Sequence, residues 1–140
     1  MLQLTRRHDW PERLNDIVAA HREWPGTIWY GQYDCGVLFS DVVWGMTDVD
    51  PLEELGRWNS EDSATRVMLS TGHRSMKDHL DTKLEAIPVA SARRGDVGYA
   101  ADPQPLTCPA VIVGAEAVSR GPDGWIVFPV SKLITAYRIG

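Results

Sequence analysis

An aspartate is followed by a cysteine at Asp34-Cys35, inside the stretch GQYDCGVLFSDVV that runs from Gly31 to Val43. Sulfur acts as a nucleophile only as thiolate. A free cysteine has a pKa of about 8.5, and a helix N-terminus or a nearby cation lowers it. Asp34 reads as the N-cap of a helix, which puts Cys35 in the first turn. There the helix carries roughly half a positive charge and unpaired amides. Gly36 leaves room for a substrate backbone, and neighbouring amides could form part of an oxyanion hole. Cysteine is also among the most buried residue types and packs as a small hydrophobe. From this position alone, both readings stay open.

The elements around this stretch set what it can do. The chain has 140 residues, of which 44% are hydrophobic, the size and composition of one folded domain. The net charge is -5, and no basic stripe exists to grip phosphates, which argues against nucleic acid as a partner. No apolar run approaches the roughly 20 residues needed to span a bilayer. The N-terminal MLQLTRRHDWPERL has no signal-peptide stretch, so the expected site of synthesis is the bacterial cytoplasm. The two cysteines, Cys35 and Cys108, form no disulfide framework, and the four scattered histidines add no short metal-ligand spacing. No metal and no cofactor is expected. Most of the six tryptophans read as partly buried core.

The first half reads as helices. Asp9, Pro11 and Glu12 mark a start, and Leu14, Ile17, Val18 and His21 share one face. His21 is then a core-edge histidine, and Trp24-Pro25-Gly26 stops the helix. After the Asp34 cap, Leu38, Phe39, Val42, Val43 and Met46 form a buried side, which Gly45 helps to end. Asn59 or Ser60 caps a third helix with Val67, Met68 and Leu69 inside, and a fourth runs from Ser75 to Leu84. His73 in the turn and His79 on the last helix read as solvated. From Pro88 onward DVGYA, AVIVG, WIVFPV and ITAYRI are β-rich runs, and GPDG is a hairpin signal. The expected class is α+β: one domain over 1–140, helical over about 9–86, with an antiparallel sheet over 88–140.

Three blocks resemble the NlpC-type cell-wall cysteine peptidases, a papain-like group. Their nucleophile motif is Trp-Gly, a spacer, then Asp-Cys-Ser-Gly-Leu opening a helix. Tyr30-Gly31 and Asp34-Cys35 match it, with Gly36 at the serine position and Ile28 in place of a preceding tyrosine. Their Pro-Gly-Asp-Leu segment is matched by Gly95-Asp96-Val97, and their His-Val-Gly-Ile-Tyr-Ile-Gly strand by CPAVIVG from Cys108 to Gly114. The resemblance implies a compact papain-like domain in which helices pack on the sheet. It makes Cys35 the nucleophile and places Tyr30, Gly31, Asp34 and Gly36 at the substrate. It also puts Cys108 where the general base should be and Ser119 near the third polar position. Cysteine cannot shuttle protons near neutrality as histidine does. Either His73 or His79 could supply an imidazole instead. The alignment also permits a Cys35–Cys108 disulfide.

The whole chain is similar to small proteins encoded among tail-tip genes of long-tailed phages and gene transfer agents. The matching pieces are GQYDCGVLF, MTDVDP, TGHRS, RRGDV and AYRIG. This likeness implies a structural part of a tail tip or baseplate on a catalytically impaired peptidase fold. Its partners would be hub and distal tail proteins, and its place the virion tail. Two alternatives are an active peptidase that cuts peptidoglycan stem peptides and a tail assembly factor.

Overall fold

The computed structural model describes residues 1–100 and 109–140. Helix α1 spans Trp10–Glu23, with Pro11 in its first turn. Asp9 precedes it but makes no capping bond. Its carboxylate is drawn off by two guanidiniums, accepting from Arg13 Nε at 3.0 Å and Arg7 Nε at 3.3 Å. Helix α2, Cys35–Thr47, is buried along most of its length, including Leu38, Phe39, Val42, Val43 and Met46. Gly45 lies within α2 and does not end it. A Cβ there would stand 2.4 Å from Ile17 Cδ1, so the glycine lets α1 approach closely. The helix ends at left-handed Asp48, whose carboxylate is held at 2.8 Å by Arg7.

Helix α3, Glu61–Ser70, starts with a capping box between Ser60 and Ser63. It buries none of its residues, and Leu69, expected inside, is 68% exposed. The helix lies along the rim of the domain and touches the core only through Ala64 and Val67. Helix α4 is Met76–Asp81, shorter than the sequence predicts. Its last turn tightens as Lys83 N–H and Leu84 N–H both donate to the Leu80 carbonyl. Among the described residues no helix is long and apolar enough to cross a membrane.

Six strands follow: β1 Ala86–Ile87, β2 Val97–Ala100, β3 Ala110–Ile112, β4 Glu116–Gly121, β5 Gly124–Pro129 and β6 Leu133–Tyr137. They form one antiparallel sheet in the order β1-β6-β2-β3-β4-β5. The class is therefore α+β, with N-terminal helices on a C-terminal sheet. Two details differ from expectation. The sheet begins two residues before Pro88, and β4 is a strand the β-rich runs do not include. EAVSRG has one β-branched residue, and burial between two neighbouring strands decides its state more than propensity does. The GPDG turn joins this strand to β5. Val97, Tyr99, Val111, Val118 and Tyr137 belong to the main core with α1 and α2. Ala110, Ile112, Ala117 and Leu133 form a smaller cluster, covered by Val89, Phe128 and Val130.

Two buried charged groups tie the halves together. Asp96, 1% exposed, accepts from Arg6 Nη2 at 3.0 Å, from Ile139 N–H at 2.9 Å and from Arg93 N–H at 2.8 Å. Arg6 also donates to the carbonyls of Ile139 and Arg94. Gly95 must be glycine here, with φ at +93° and a Cβ that would meet Arg6 Nη1 at 2.8 Å. The RRGD segment is thus a knot joining the N-terminus, the C-terminus and the entry to β2. Arg120, 2% exposed on β4, donates to the carbonyls of His21, Trp24, Gly26 and Thr27. Its charge sits at the negative end of α1. Removing one partner of such a buried pair strands the other. We expect Asp96→Ala to lower the unfolding free energy by about 3 kcal/mol or more, as read by urea denaturation.

Candidate functional site

The Asp34 carboxylate organises the site. It is 4% exposed, and one oxygen accepts from Val37 N–H at 2.8 Å as the cap of α2. The other accepts from Gly31 N–H at 2.8 Å and Trp58 Nε1–H at 2.7 Å. The two motif glycines serve the same tryptophan. A Cβ on Gly31, whose φ is +85°, would stand 2.0 Å from the Trp58 carbonyl oxygen. A Cβ on Gly36 would stand 2.9 Å from the Trp58 ring. Gly31, Asp34 and Gly36 therefore read as a seat for one indole. Because Asp34 takes the Val37 amide, that amide is not available to an oxyanion.

A groove of about 460 Å³ opens over Cys35. Residues of α3 and the start of α4, among them Val67, Met68 and Met76, form one wall, and Gly121 and Pro122 of the β4–β5 turn line it too. The lining is mainly apolar, with Asp34, Glu61, Arg74 and Arg120 as charged members. Tyr30 lines it as well; burial, with Glu61 and Asp34 nearby, pushes its hydroxyl pKa up. Of the residues the resemblance places at substrate, Tyr30, Asp34 and Gly36 line the groove, while Gly31 supports it from behind Trp58. Cys35 is disulfide-bonded and not a free thiol. The other cysteine of the sequence, Cys108, lies outside the described residues. Ser119 is buried on β4, where its hydroxyl donates to the Pro109 carbonyl at 3.3 Å, and it does not line the groove.

None of the described groove residues is a histidine. His21 is buried at the core edge, as the sequence predicts, with Nε2 2.9 Å from Asp41 and its ring edge-on to Tyr33. It lines a separate cleft of about 470 Å³ between α1 and α2, beside half-exposed Trp44. His79, expected in solvent, is 5% exposed. It lies on the buried side of α4 beside Leu80, 3.5 Å from Glu54 and 5.3 Å ring to ring from half-buried His73. Trp58 and Arg120 are the residues that sequence reasoning missed. Two glycines flanking a cap were a signal that something bulky must fit there, but nothing marked which of six tryptophans it was. Among the described residues no group of three or more His, Cys, Asp or Glu is placed to hold a metal ion.

A family model described as Domain of unknown function (DUF6950) matches residues 5–139. The chain belongs to this family. The matched span includes both Arg6 and Ile139 of the terminal knot as well as the whole groove. No curated protein matches the chain.

His79, outside the groove, gives the stability of the fold a pH dependence. Burial holds its pKa below the ordinary 6.5, with His73 and Lys83 acting the same way and Glu54 opposing. The unfolded chain then binds the proton more readily than the folded one. The stabilisation is full above about pH 6.5 and is lost as the pH falls through and below that value. We expect denaturation midpoints to drop between about pH 7.5 and pH 5.5, and His79→Gln to flatten that drop.

Proposed function

We propose that the protein is a binding component of a phage or gene-transfer-agent tail tip, built on a papain-like fold of NlpC type and lacking peptidase chemistry. One observation carries this reading: the groove over Cys35 combines a disulfide-bonded sulfur with a lining that has no imidazole among the described residues. A thiolate attack needs a free sulfur and a base in hydrogen-bond reach. The motif residues around it hold Trp58 in place, a task that needs no catalysis. The papain-like reading draws support from α2, which carries the cysteine at its N-terminus and lies against β3 and β4 of an antiparallel sheet. The tail-tip reading draws on the likeness of GQYDCGVLF, MTDVDP, TGHRS, RRGDV and AYRIG to tail-tip proteins. The partners would be hub and distal tail proteins, which a groove with an apolar lining could grip. A fold that once carried chemistry can serve as a scaffold when its site is lost.

The alternative of a working stem-peptide hydrolase rests on one feature, the placement of Cys35 at a helix mouth beneath an open groove. Composition of the particle tests the structural role. Quantitative mass spectrometry of particles purified from the producing cell should find this chain in fixed ratio to the hub protein. Complete particles without it would overturn the structural role and leave an assembly factor.

A further inference from the structure

Helix α3 walls the groove over Cys35, and the face it turns there is ordered along its axis. Glu61, Thr65 and Leu69 stand four residues apart in one row, with Ala64 and Met68 in the next, and all five line the groove. The helix buries none of its residues, and Leu69 is 68% exposed. A charge stands at each end of the row. Glu61 is the first residue of α3, and Arg74, also in the lining, lies just beyond its C-terminal end. Both are exposed, and among the described residues neither makes an ion pair. A helix rises about 1.5 Å per residue, so the row separates the two charges by roughly 15 Å. Asp34 and Arg120, the other charged lining residues, are buried and already engaged by three donors and four carbonyls.

Volume limits the occupant. About 460 Å³ is the size of a small-ligand site, so a short stretch of chain fits and a folded domain does not. The order of the lining limits it further. A fatty acid would leave Glu61 without a cation. A saccharide would set hydroxyls against Met68 and Leu69, and a nucleic acid would bring phosphate to Glu61. A polypeptide can carry a cation, an apolar run and an anion in that order. An extended chain rises about 3.3 Å per residue, so about three or four apolar residues fill this distance.

We propose that the groove takes an extended segment of a partner protein in which an apolar run of that length separates a basic residue from an acidic one. The basic residue meets Glu61 near Tyr30, the acidic one meets Arg74, and the apolar run lies on Met68 and Leu69. This rests on the reading of the groove as a binding site and adds what the site selects.

Fluorescence polarisation of labelled synthetic peptides against the intact protein, under non-reducing conditions, tests this. The peptides have blocked termini and carry Val-Ala-Leu-Ala between Lys and Glu, in either chain order. Companion peptides carry Lys at both ends or Glu at both ends. A Lys–Glu peptide is expected to bind about threefold tighter than either companion, the size of an exposed ion pair, and added salt should close the gap. Arg74→Glu should move the preference to the peptide with two lysines, and Glu61→Lys to the one with two glutamates. The double exchange should return it to the Lys–Glu peptides. All three variants should keep the far-ultraviolet circular dichroism of the natural sequence, because both positions are exposed. Equal binding of all the peptides, a preference that the exchanges leave in place, or no binding by any peptide would each overturn the proposal. Particle composition tests the underlying reading separately, so either can fail alone.

Discussion

The arrangement of the N-terminal half depends on one buried carboxylate. Asp34 joins three otherwise separate pieces: the turn at Gly31, the first turn of α2 at Val37, and the indole of Trp58 in the following loop. Each bond is charge-assisted and so stronger than a neutral one. Together they meet the demand of a carboxylate that has almost no contact with water. Trp58 in turn lines the groove floor, and the segment beyond it leads into α3 and α4, which form a wall. This seat, together with the packing of Ala64, Val67, Met76 and Leu80 on the shared core, sets the distance between α2 and that wall.

The same physics explains why the stretch around Cys35 looks catalytic. A capping aspartate, a first-turn residue and two glycines are what a helix-borne nucleophile needs. They are equally what an indole needs to fit against a helix mouth. Elsewhere the pattern repeats. RRGD resembles the approach of a peptidase chain to its sheet, and here it is the Arg6–Asp96 knot between the two termini. MTDVDP contains the left-handed stop at Asp48, and Asp50 accepts from the Ser40 hydroxyl at 2.6 Å. TGHRS contains the α3 stop at Gly72 and the α4 cap at Ser75. In AYRIG, the Tyr137 hydroxyl donates to Asp81 on α4. Each motif secures a junction between elements.

Much of this was legible in the sequence, unevenly. The cap at Asp34 and the buried side of α2 were readable because helical periodicity and capping are local. The α+β order was readable because helices and β-rich runs are separated along the chain. Strand β4 was not, since EAVSRG owes its state to strands on either side. The exposure of Leu69 and the burial of His79 were hidden for a related reason. Which face of a short helix meets the core depends on tertiary placement and not on residue type. The role of Arg120 was the least visible, because its four carbonyl partners lie on α1 and the loop after it, more than ninety residues away.

The central claim is that the groove over Cys35 binds without cutting. The most direct measurement is the release of stem peptides from purified sacculi, incubated under reducing conditions with the intact protein and with Cys35→Ala. Reduction frees the sulfur, so the test gives hydrolysis its best chance. A groove that only binds predicts no release above buffer from either protein. Release by the natural sequence that Cys35→Ala abolishes would contradict it.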